Sequence, residues 1–275
     1  MMAFDYREPA TLDEASALLR EAAGEAAVLA GGTDLLVQMR ERVRRPAQVV
    51  NIKKILGLDA LVFDPEAGLT IGALATTRAL ETSEIVRRHY AGLHAATVHF
   101  ASVQVRHRAT VVGNVCRASP SADTIPPLIA DGATVRIRGA KGERSLLLEE
   151  FFRGPGKTVL VPGEVVLEIL VPPPAAGTRK VYIKHGRRKA MELATVGVAV
   201  THVPGGETRI VLGAVAPTPI RARQAEKIFA ETGDIGRAAQ AAAEESRPIS
   251  NVRATAEYRR EMVEVLTRRA LEQVR

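Results

Sequence analysis

Two glycine-bearing segments and one basic segment carry the residue types and spacings that can do chemistry. The first is Ala30-Gly31-Gly32-Thr33-Asp34. Adjacent glycines accept positive φ, so consecutive backbone N–H groups can turn inward as an anion nest, and the missing side chains let a pyrophosphate approach the main chain. The Thr33 hydroxyl adds a donor. The segment is neither G-x-G-x-x-G nor G-x-x-x-x-G-K-[ST], so the Rossmann and P-loop fingerprints fail here. A tight strand-to-helix turn that needs glycine for geometry alone is the competing reading. The second segment is T-V-V-G-N-V-C-R-A-S-P-S-A-D-T at Thr110–Thr124, which reads as a backbone-rich loop suited to a polyhydroxylated ligand. Thr110, Asn114 and Ser119 can bond phosphate or ribose oxygens, and the Asp123 carboxylate can accept from sugar hydroxyls; an ordinary structured loop with locally satisfied polar groups competes with it. The third is Lys184-His185-Gly186-Arg187-Arg188-Lys189, the most basic stretch. Such a run usually forms a solvated or partner-facing edge. Lys184 ends an apolar strand and is expected to point differently from the arginines.

The remaining reactive types are scattered. His94, His99 and His107 have no metal-ligand partners at recognisable spacing, Ser119 and Ser121 lack an acid–base pair, and Cys116 reads as a small buried residue. Arg106 and Arg108 are candidates either for lending positive potential to a pyrophosphate or for plain surface charge. We therefore expect no metal site in this chain and assign it no catalytic acid, base or nucleophile.

Those segments need a scaffold, and the 275 residues, 46% hydrophobic and 25% charged, suit a globular chain of about two cores. The single Cys forbids an intrachain disulfide and any all-cysteine zinc or iron–sulfur site built from this chain alone. The 38 basic against 31 acidic side chains leave a net charge of +7, compatible with nucleic acid, an acidic cofactor or acidic partner surfaces. No Trp and 4% aromatics argue against stacking platforms for bases. Residues Met1–Pro9 show no apolar core of signal-peptide length and no stretch is long enough to span a membrane, so a cytoplasmic protein is expected.

Thr11-Leu12-Asp13-Glu14 fits a capping box, followed by helical spacing to Gly24. A buried strand at 26–30 then feeds the glycine turn, Asp34 is expected to cap a helix to about Arg42, and 48–52 is a second strand. Leu61–Phe63 and Leu69–Ile71 suggest a hairpin, 79–90 and 93–102 helices, and Thr134–Arg138 and Val165–Val171 strands. The Pro172-Pro173-Pro174 run is the clearest boundary. Beyond it come strands at 181–184, 194–203 and 209–216, then two or three helices. The last, about Ala254–Val274, is expected to bury Tyr258, Met262, Val265 and Leu266.

Taken in order, A-G-G-T-D-L-L, T-V-V-G-N with A-S-P-S-A-D-T, Y-I-K-H-G-R-R-K-A-M-E-L-A and P-I-S-N-V-R-A-T-A-E-Y-R-R-E-M-V make the chain resemble the FAD-binding medium subunits of the molybdenum hydroxylases over nearly its whole length. The resemblance implies an α+β fold of the PCMH or vanillyl-alcohol-oxidase type. Two α/β subdomains, 1–57 and 58–174, would hold FAD between them, and 175–275 would form a C-terminal domain of antiparallel sheet and helices. It implies that Ala30, Gly31, Gly32, Thr33 and Asp34 bind the FAD pyrophosphate from one side and Thr110, Gly113 and Asn114 from the other, with Ser119 in the same second loop and Asp123 near the ribose or adenine end. Phe100 and Val166 would pack on the cofactor, and Lys184 would stand near the flavin ring, where a cation favours the anionic reduced form. Val112 departs from the family pattern, in which many members have a second glycine. The single Cys sets the chain apart from the benzoyl-CoA reductase branch, which carries an extra cysteine-ligated cluster.

The function so implied is that of an oxidoreductase subunit. It would take electrons from [2Fe–2S] clusters of a small iron–sulfur subunit and pass them to an external acceptor, while a large molybdopterin subunit oxidises the substrate. A dimer of heterotrimers is expected, with no nucleic acid and no membrane span. Two other readings stand beside it: a stand-alone flavin reductase of the same fold, and a basic nucleic-acid-binding or scaffold protein.

Overall fold

The computed structural model describes residues 3–275; Met1 and Met2, where the signal-peptide reading begins, lie outside the described residues. The chain opens with a three-stranded parallel sheet in the order β1-β3-β2, made of β1 (Asp5–Arg7), β2 (Ala26–Leu29) and β3 (Gln48–Asn51). Two helices cross over between them, α1 (Leu12–Glu21) and α2 (Leu35–Arg40). The forward half of the capping box is present, Thr11 Oγ1 accepting from the Glu14 N–H at 3.2 Å, while the Glu14 carboxylate reaches one residue further back and accepts from the Ala10 N–H at 2.8 Å. Strand β1 is an addition to the sequence reading, because three residues are too few to show an alternation.

A five-stranded antiparallel sheet follows, in the order β4-β5-β10-β6-β7. Its strands are β4 (Leu61–Asp64), β5 (Gly68–Gly72), β6 (Thr134–Gly139), β7 (Gly142–Leu147) and, after the small pair β8 (Phe152–Gly154) and β9 (Lys157–Thr158), β10 (Val165–Val171). The expected hairpin turns on Asp64, whose Oδ1 accepts from the Glu66 and Ala67 N–H groups, both at 2.8 Å. Between β5 and β6 run six short helices: α3 (Thr77–Thr82), α4 (Glu84–His89), α5 (Ala91–Val98), α6 (Val103–Arg106), α7 (Val111–Arg117) and α8 (Ile125–Ala130). The two helices expected over 79–90 and 93–102 are thus three. Ser83 ends α3 and caps α4 by accepting from Val86 N–H, so the chain turns where the spacing suggests a continuous helix.

The third sheet is antiparallel, in the order β11 (Arg179–His185), β12 (Val196–His202), β13 (Thr208–Gly213), β14 (Ile220–Arg221), and is backed by α9 (Arg223–Thr232), α10 (Ile235–Glu245) and α11 (Ala256–Val274). One core runs from Val50 and Ile52 through Ile71, Val135 and Ile169 to Tyr182 and Val211, and so ties the sheets together; a second lies between the last sheet and its helices. The face expected for α11 is corrected. Of the four residues named, Leu266 is buried, whereas Tyr258 and Val265 are exposed; the helix instead buries Arg259, Val263, Ala270, Leu271 and Val274. The arginine misleads the reading, because a charged side chain is not counted toward an apolar stripe. Among the described residues no helix is long and apolar enough to cross a membrane.

Candidate functional site

The two glycine segments meet. A Cβ placed on Gly31 would stand 2.1 Å from the Arg108 carbonyl oxygen and 2.9 Å from Ala109 Cα, so the main chains touch where a side chain would keep them apart. A crevice of about 300 Å³ opens at this junction, lined by Ala30, Gly31, Lys53, Thr76, Arg108 and Thr110 among others. Its far wall is braced: Thr77 donates from its N–H to the Ala109 carbonyl at 2.8 Å, and Thr76 bridges to Thr110. Gly32 takes φ +76°, where glycine is favoured.

Thr110 is the N-cap of α7, its Oγ1 accepting from the Gly113 N–H at 3.0 Å; a Cβ on Gly113 would stand 2.7 Å from that oxygen. Half of the expected second loop is therefore a helix, started by Thr110, and Asn114 lies on its first turns with its Oδ1 accepting from the Thr124 hydroxyl at 2.7 Å. The expectation that Asp34 caps α2 is also corrected: Asp34 stands at the cap position but makes no capping bond, because its carboxylate is drawn to Arg117 at 2.6 Å and to Gln38.

Lys53 and Arg108 bring positive charge to this crevice, with Asp59 also on its wall. Burial, then the charge of neighbouring Arg108, holds the Lys53 ammonium below its ordinary range. Lys53 and Arg108, like charges on the wall of an open crevice, fit an anionic ligand, and the contact cradle at Gly31 fits one that presses against main chain. Both observations fit the diphosphate of a dinucleotide.

Asp123 and Lys184, expected at opposite ends of a cofactor, are instead an ion pair at 2.7 Å, nearly buried on both sides. Tyr182 donates its hydroxyl to the other Asp123 oxygen at 2.9 Å, and Lys184 also reaches the His99 carbonyl at 3.1 Å. Burial raises the Asp123 carboxyl above the usual range while Lys184 pulls it back, and burial with the adjacent carboxylate raises the Tyr182 phenol. Each Asp123 oxygen thus accepts from a protein partner, Oδ1 from Tyr182 and Oδ2 from Lys184, and each keeps a lone pair for a further donor. Lys180, Tyr182 and Lys184 alternate along β11 and face one way, Lys180 pairing with Asp131 at 3.0 Å. Period-two spacing of those three polar residues is the signal by which Tyr182 was available from the sequence. Lys53 had only its place just after a short strand.

Other expectations divide. Ala30, Gly31 and Thr110 line the crevice, with Gly32, Thr33, Asp34, Gly113 and Asn114 in the same two segments. Val166 is buried in the main core beside a bulge in β10, Ser119 serves a local turn through the Ser121 N–H, and Phe100 is half-buried. Arg106, a candidate for cofactor potential or surface charge, is neither. It is buried, paired with Glu81 at 2.8 Å, and holds the carbonyl of Phe100 at 2.7 Å. Among the described residues no cluster of His, Cys, Asp or Glu could hold a metal ion.

Cys116, expected to be buried, is half-buried, and burial pushes its thiol up to about 12. Iodoacetamide at pH 8 is expected to alkylate it at least about tenfold more slowly than free cysteine, with the full rate restored in denaturant, as intact-mass spectrometry would follow.

Residues 2–174 match the family described as the FAD binding domain in molybdopterin dehydrogenase, and residues 181–274 match the CO dehydrogenase flavoprotein C-terminal domain. The carbon monoxide dehydrogenase medium chain of Hydrogenophaga pseudoflava is 34% identical over 98% of this chain and 96% of its own. The xanthine dehydrogenase FAD-binding subunit of Escherichia coli O157:H7 is 32% identical, over 97% of this chain and 94% of that one. Among solved structures, carbon monoxide dehydrogenase from Hydrogenophaga pseudoflava superposes with a TM-score of 0.94 at 33% identity, covering 99% of this chain and 97% of that one. Quinoline 2-oxidoreductase from Pseudomonas putida 86 gives 0.91 at 27% identity, covering 99% and 97%.

Proposed function

The chain belongs to the family of FAD-binding medium subunits of the molybdenum hydroxylases, and from that premise we propose that it is the electron-transfer subunit of a multi-subunit complex. In that complex a large molybdopterin subunit oxidises the substrate, a small subunit carries the electrons through [2Fe–2S] clusters, and this chain delivers them to an external acceptor. The observation that carries the reading is the main-chain contact of Gly31 with Arg108–Ala109, closed over a crevice into which Lys53 and Arg108 bring positive charge. The working division is 1–57 and 58–174 for the two halves that enclose the cofactor and 175–275 for the C-terminal domain, in a cytoplasmic dimer of heterotrimers.

Ala30–Asp34 would hold the FAD diphosphate from one side, and Thr110, Gly113 and Asn114 from the other. Lys53 and Arg108 balance its charge. When bound, FAD supplies exchange between single-electron and paired-electron transfer. The chain's own residues supply attachment, orientation and electrostatics: the glycine segment lets the main chain approach, Thr110 fixes the start of α7, and the Arg106–Glu81 pair fixes the segment around Phe100. No side chain is assigned proton transfer, which fits a subunit whose substrate chemistry lies in another chain.

The test is reconstitution. The purified chain incubated with FAD and desalted is expected to retain close to one flavin per chain by visible absorbance, and Gly32→Val, which forces a β-branched residue to φ +76°, is expected to retain little. A chain that takes up no flavin, with Gly32→Val indistinguishable from it, contradicts the reading.

A further inference from the structure

The P-I-S-N-V-R-A-T-A-E-Y-R-R segment, which the cofactor crevice does not use, holds a buried charge. Arg259 is 2% exposed and, among the described residues, pairs with no carboxylate. Its guanidinium instead donates to the carbonyls of Thr195 at 2.9 Å and Ala214 at 3.1 Å and to Asn251 Oδ1 at 2.8 Å. A buried cation without a counter-ion is costly, so what it holds in place matters. Asn251 sits in the 247–255 loop, where its Oδ1 also accepts from the Arg253 N–H at 3.0 Å, and Arg247 N–H is tied to the Val215 carbonyl at 2.8 Å. Arg259 thus pins the loop from beneath.

What the pinned loop shows to solvent is apolar. Val252 is 93% and Ile249 68% exposed. The neighbouring 186–194 loop, joined to it by Arg187 on the Val252 carbonyl at 3.5 Å, exposes Met191 and Leu193 as well, and at their bases the end of β11 meets α11 through His185 and the Tyr258 hydroxyl at 3.0 Å. Around them stand Arg187, Arg188 and Lys189, while Glu192, the acid between them, is nearly covered by its two arginines. Bare apolar side chains on a rigid support, ringed by cations, are the anatomy of a protein-binding anchor. The surface is continuous with the flavin half of the molecule: Ala214 N–H donates to the Pro120 carbonyl at 2.7 Å, Arg253 reaches Ser121 Oγ at 3.4 Å, and Lys184, at the root of the basic loop, pairs with Asp123.

We propose that the 186–194 and 247–255 loops together dock an acidic face of one partner subunit, with Val252 and Ile249 entering an apolar pocket there and Arg187, Arg188 and Lys189 meeting carboxylates around it. This rests on the reading of the chain as a subunit of a complex. A membrane is the weaker occupant, because the apolar tips lie on two short pinned loops and not along one amphipathic helix.

The test uses the complex as its partner chains are co-expressed and co-purified with a tagged copy of this chain. Ile249→Asp/Val252→Asp is expected to keep its flavin and its melting temperature while partner recovery falls at least about tenfold; Val252→Ser, at a position too exposed to affect folding, is expected to lower it several-fold. Val43→Asp, at a 74% exposed position elsewhere, is expected to leave recovery unchanged. Full partner recovery by Val252→Ser and by the double variant overturns the docking surface, as does sedimentation of the wild-type chain with phosphatidylserine vesicles that the double variant abolishes. A wild-type chain that holds FAD but brings down no partner under any condition overturns the complex-subunit reading itself, which is a different result.

Discussion

Gly31→Ala is expected to yield a chain that folds but holds its flavin at least about tenfold more weakly. The added Cβ meets main-chain atoms of Arg108 and Ala109, not the free end of a side chain, so no rotamer change relieves it. Either the first glycine segment or the Arg108–Thr110 wall must move back. Overpacking of this kind costs about 1–3 kcal/mol of stability. The larger effect is on the crevice, because the wall that moves carries Arg108 and Thr110, the charge and the helix cap proposed to face the diphosphate. Flavin affinity is expected to fall by at least about tenfold, the equivalent of one misplaced charge-assisted contact. The control is Gly205→Ala in the β12–β13 turn, at φ +71° with open space around it. That variant is expected to lose about 1 kcal/mol through backbone strain while keeping its flavin. Flavin per chain after desalting and the melting temperature separate the two. Equal flavin retention in Gly31→Ala and Gly205→Ala would show that the two segments do not meet over the cofactor.

The contrast between those glycines shows how far the sequence could be read. The A-G-G-T-D segment was legible as a candidate for close main-chain approach, with a tight strand-to-helix turn as the competing reading. What approaches it in the folded chain, the Arg108–Ala109 main chain, was not legible, since nothing local couples residue 31 to residue 108. Thr110 stands out as a hydroxyl for phosphate, and its capping of α7 is hidden because the helix it starts is short and interrupted by Gly113. The strands of the last sheet were legible as successive apolar runs, whereas the shared face of Lys180, Tyr182 and Lys184 came only with the full extent of β11. Their partners Asp123 and Asp131 lie some fifty to sixty residues earlier, in segments whose polar residues read equally well as ligand contacts. Arg259 was illegible for a simpler reason: a buried cation satisfied by carbonyls leaves no mark on a hydrophobic pattern.

Lys184→Met is expected to produce a stability deficit that grows with pH. In the native chain Asp123 is held between burial, which raises its carboxyl, and the Lys184 ammonium with the Lys184 and Tyr182 hydrogen bonds, which lower it. Removing the ammonium leaves burial dominant, so the folded variant keeps the Asp123 proton to a higher pH than the unfolded chain, where the carboxyl returns to about 3.9. The sign follows from that difference. Below the unfolded pKa both states are protonated, the neutral acid still accepts from Tyr182, and the variant loses little. As pH rises toward the folded pKa, the unfolded chain releases its proton and the folded one does not, and stability falls by about 1.4 kcal/mol per pH unit. The full loss, once the carboxylate is forced to ionise unpaired, is about 3–5 kcal/mol. Melting temperatures of wild type and variant compared from pH 4 to pH 8 should therefore diverge steadily, and a deficit independent of pH would mean that Lys184 acts by packing alone. Asp123→Asn combined with Lys184→Met removes both charges and is expected to abolish the slope, leaving an uncharged contact of similar shape between the Tyr182 hydroxyl and the introduced amide. Because the pair joins β11 of the C-terminal sheet to the second glycine-bearing segment, its loss should also loosen flavin retention at the pH values where the carboxylate is ionised. A stability slope without a parallel change in bound flavin would separate the brace from the cofactor crevice.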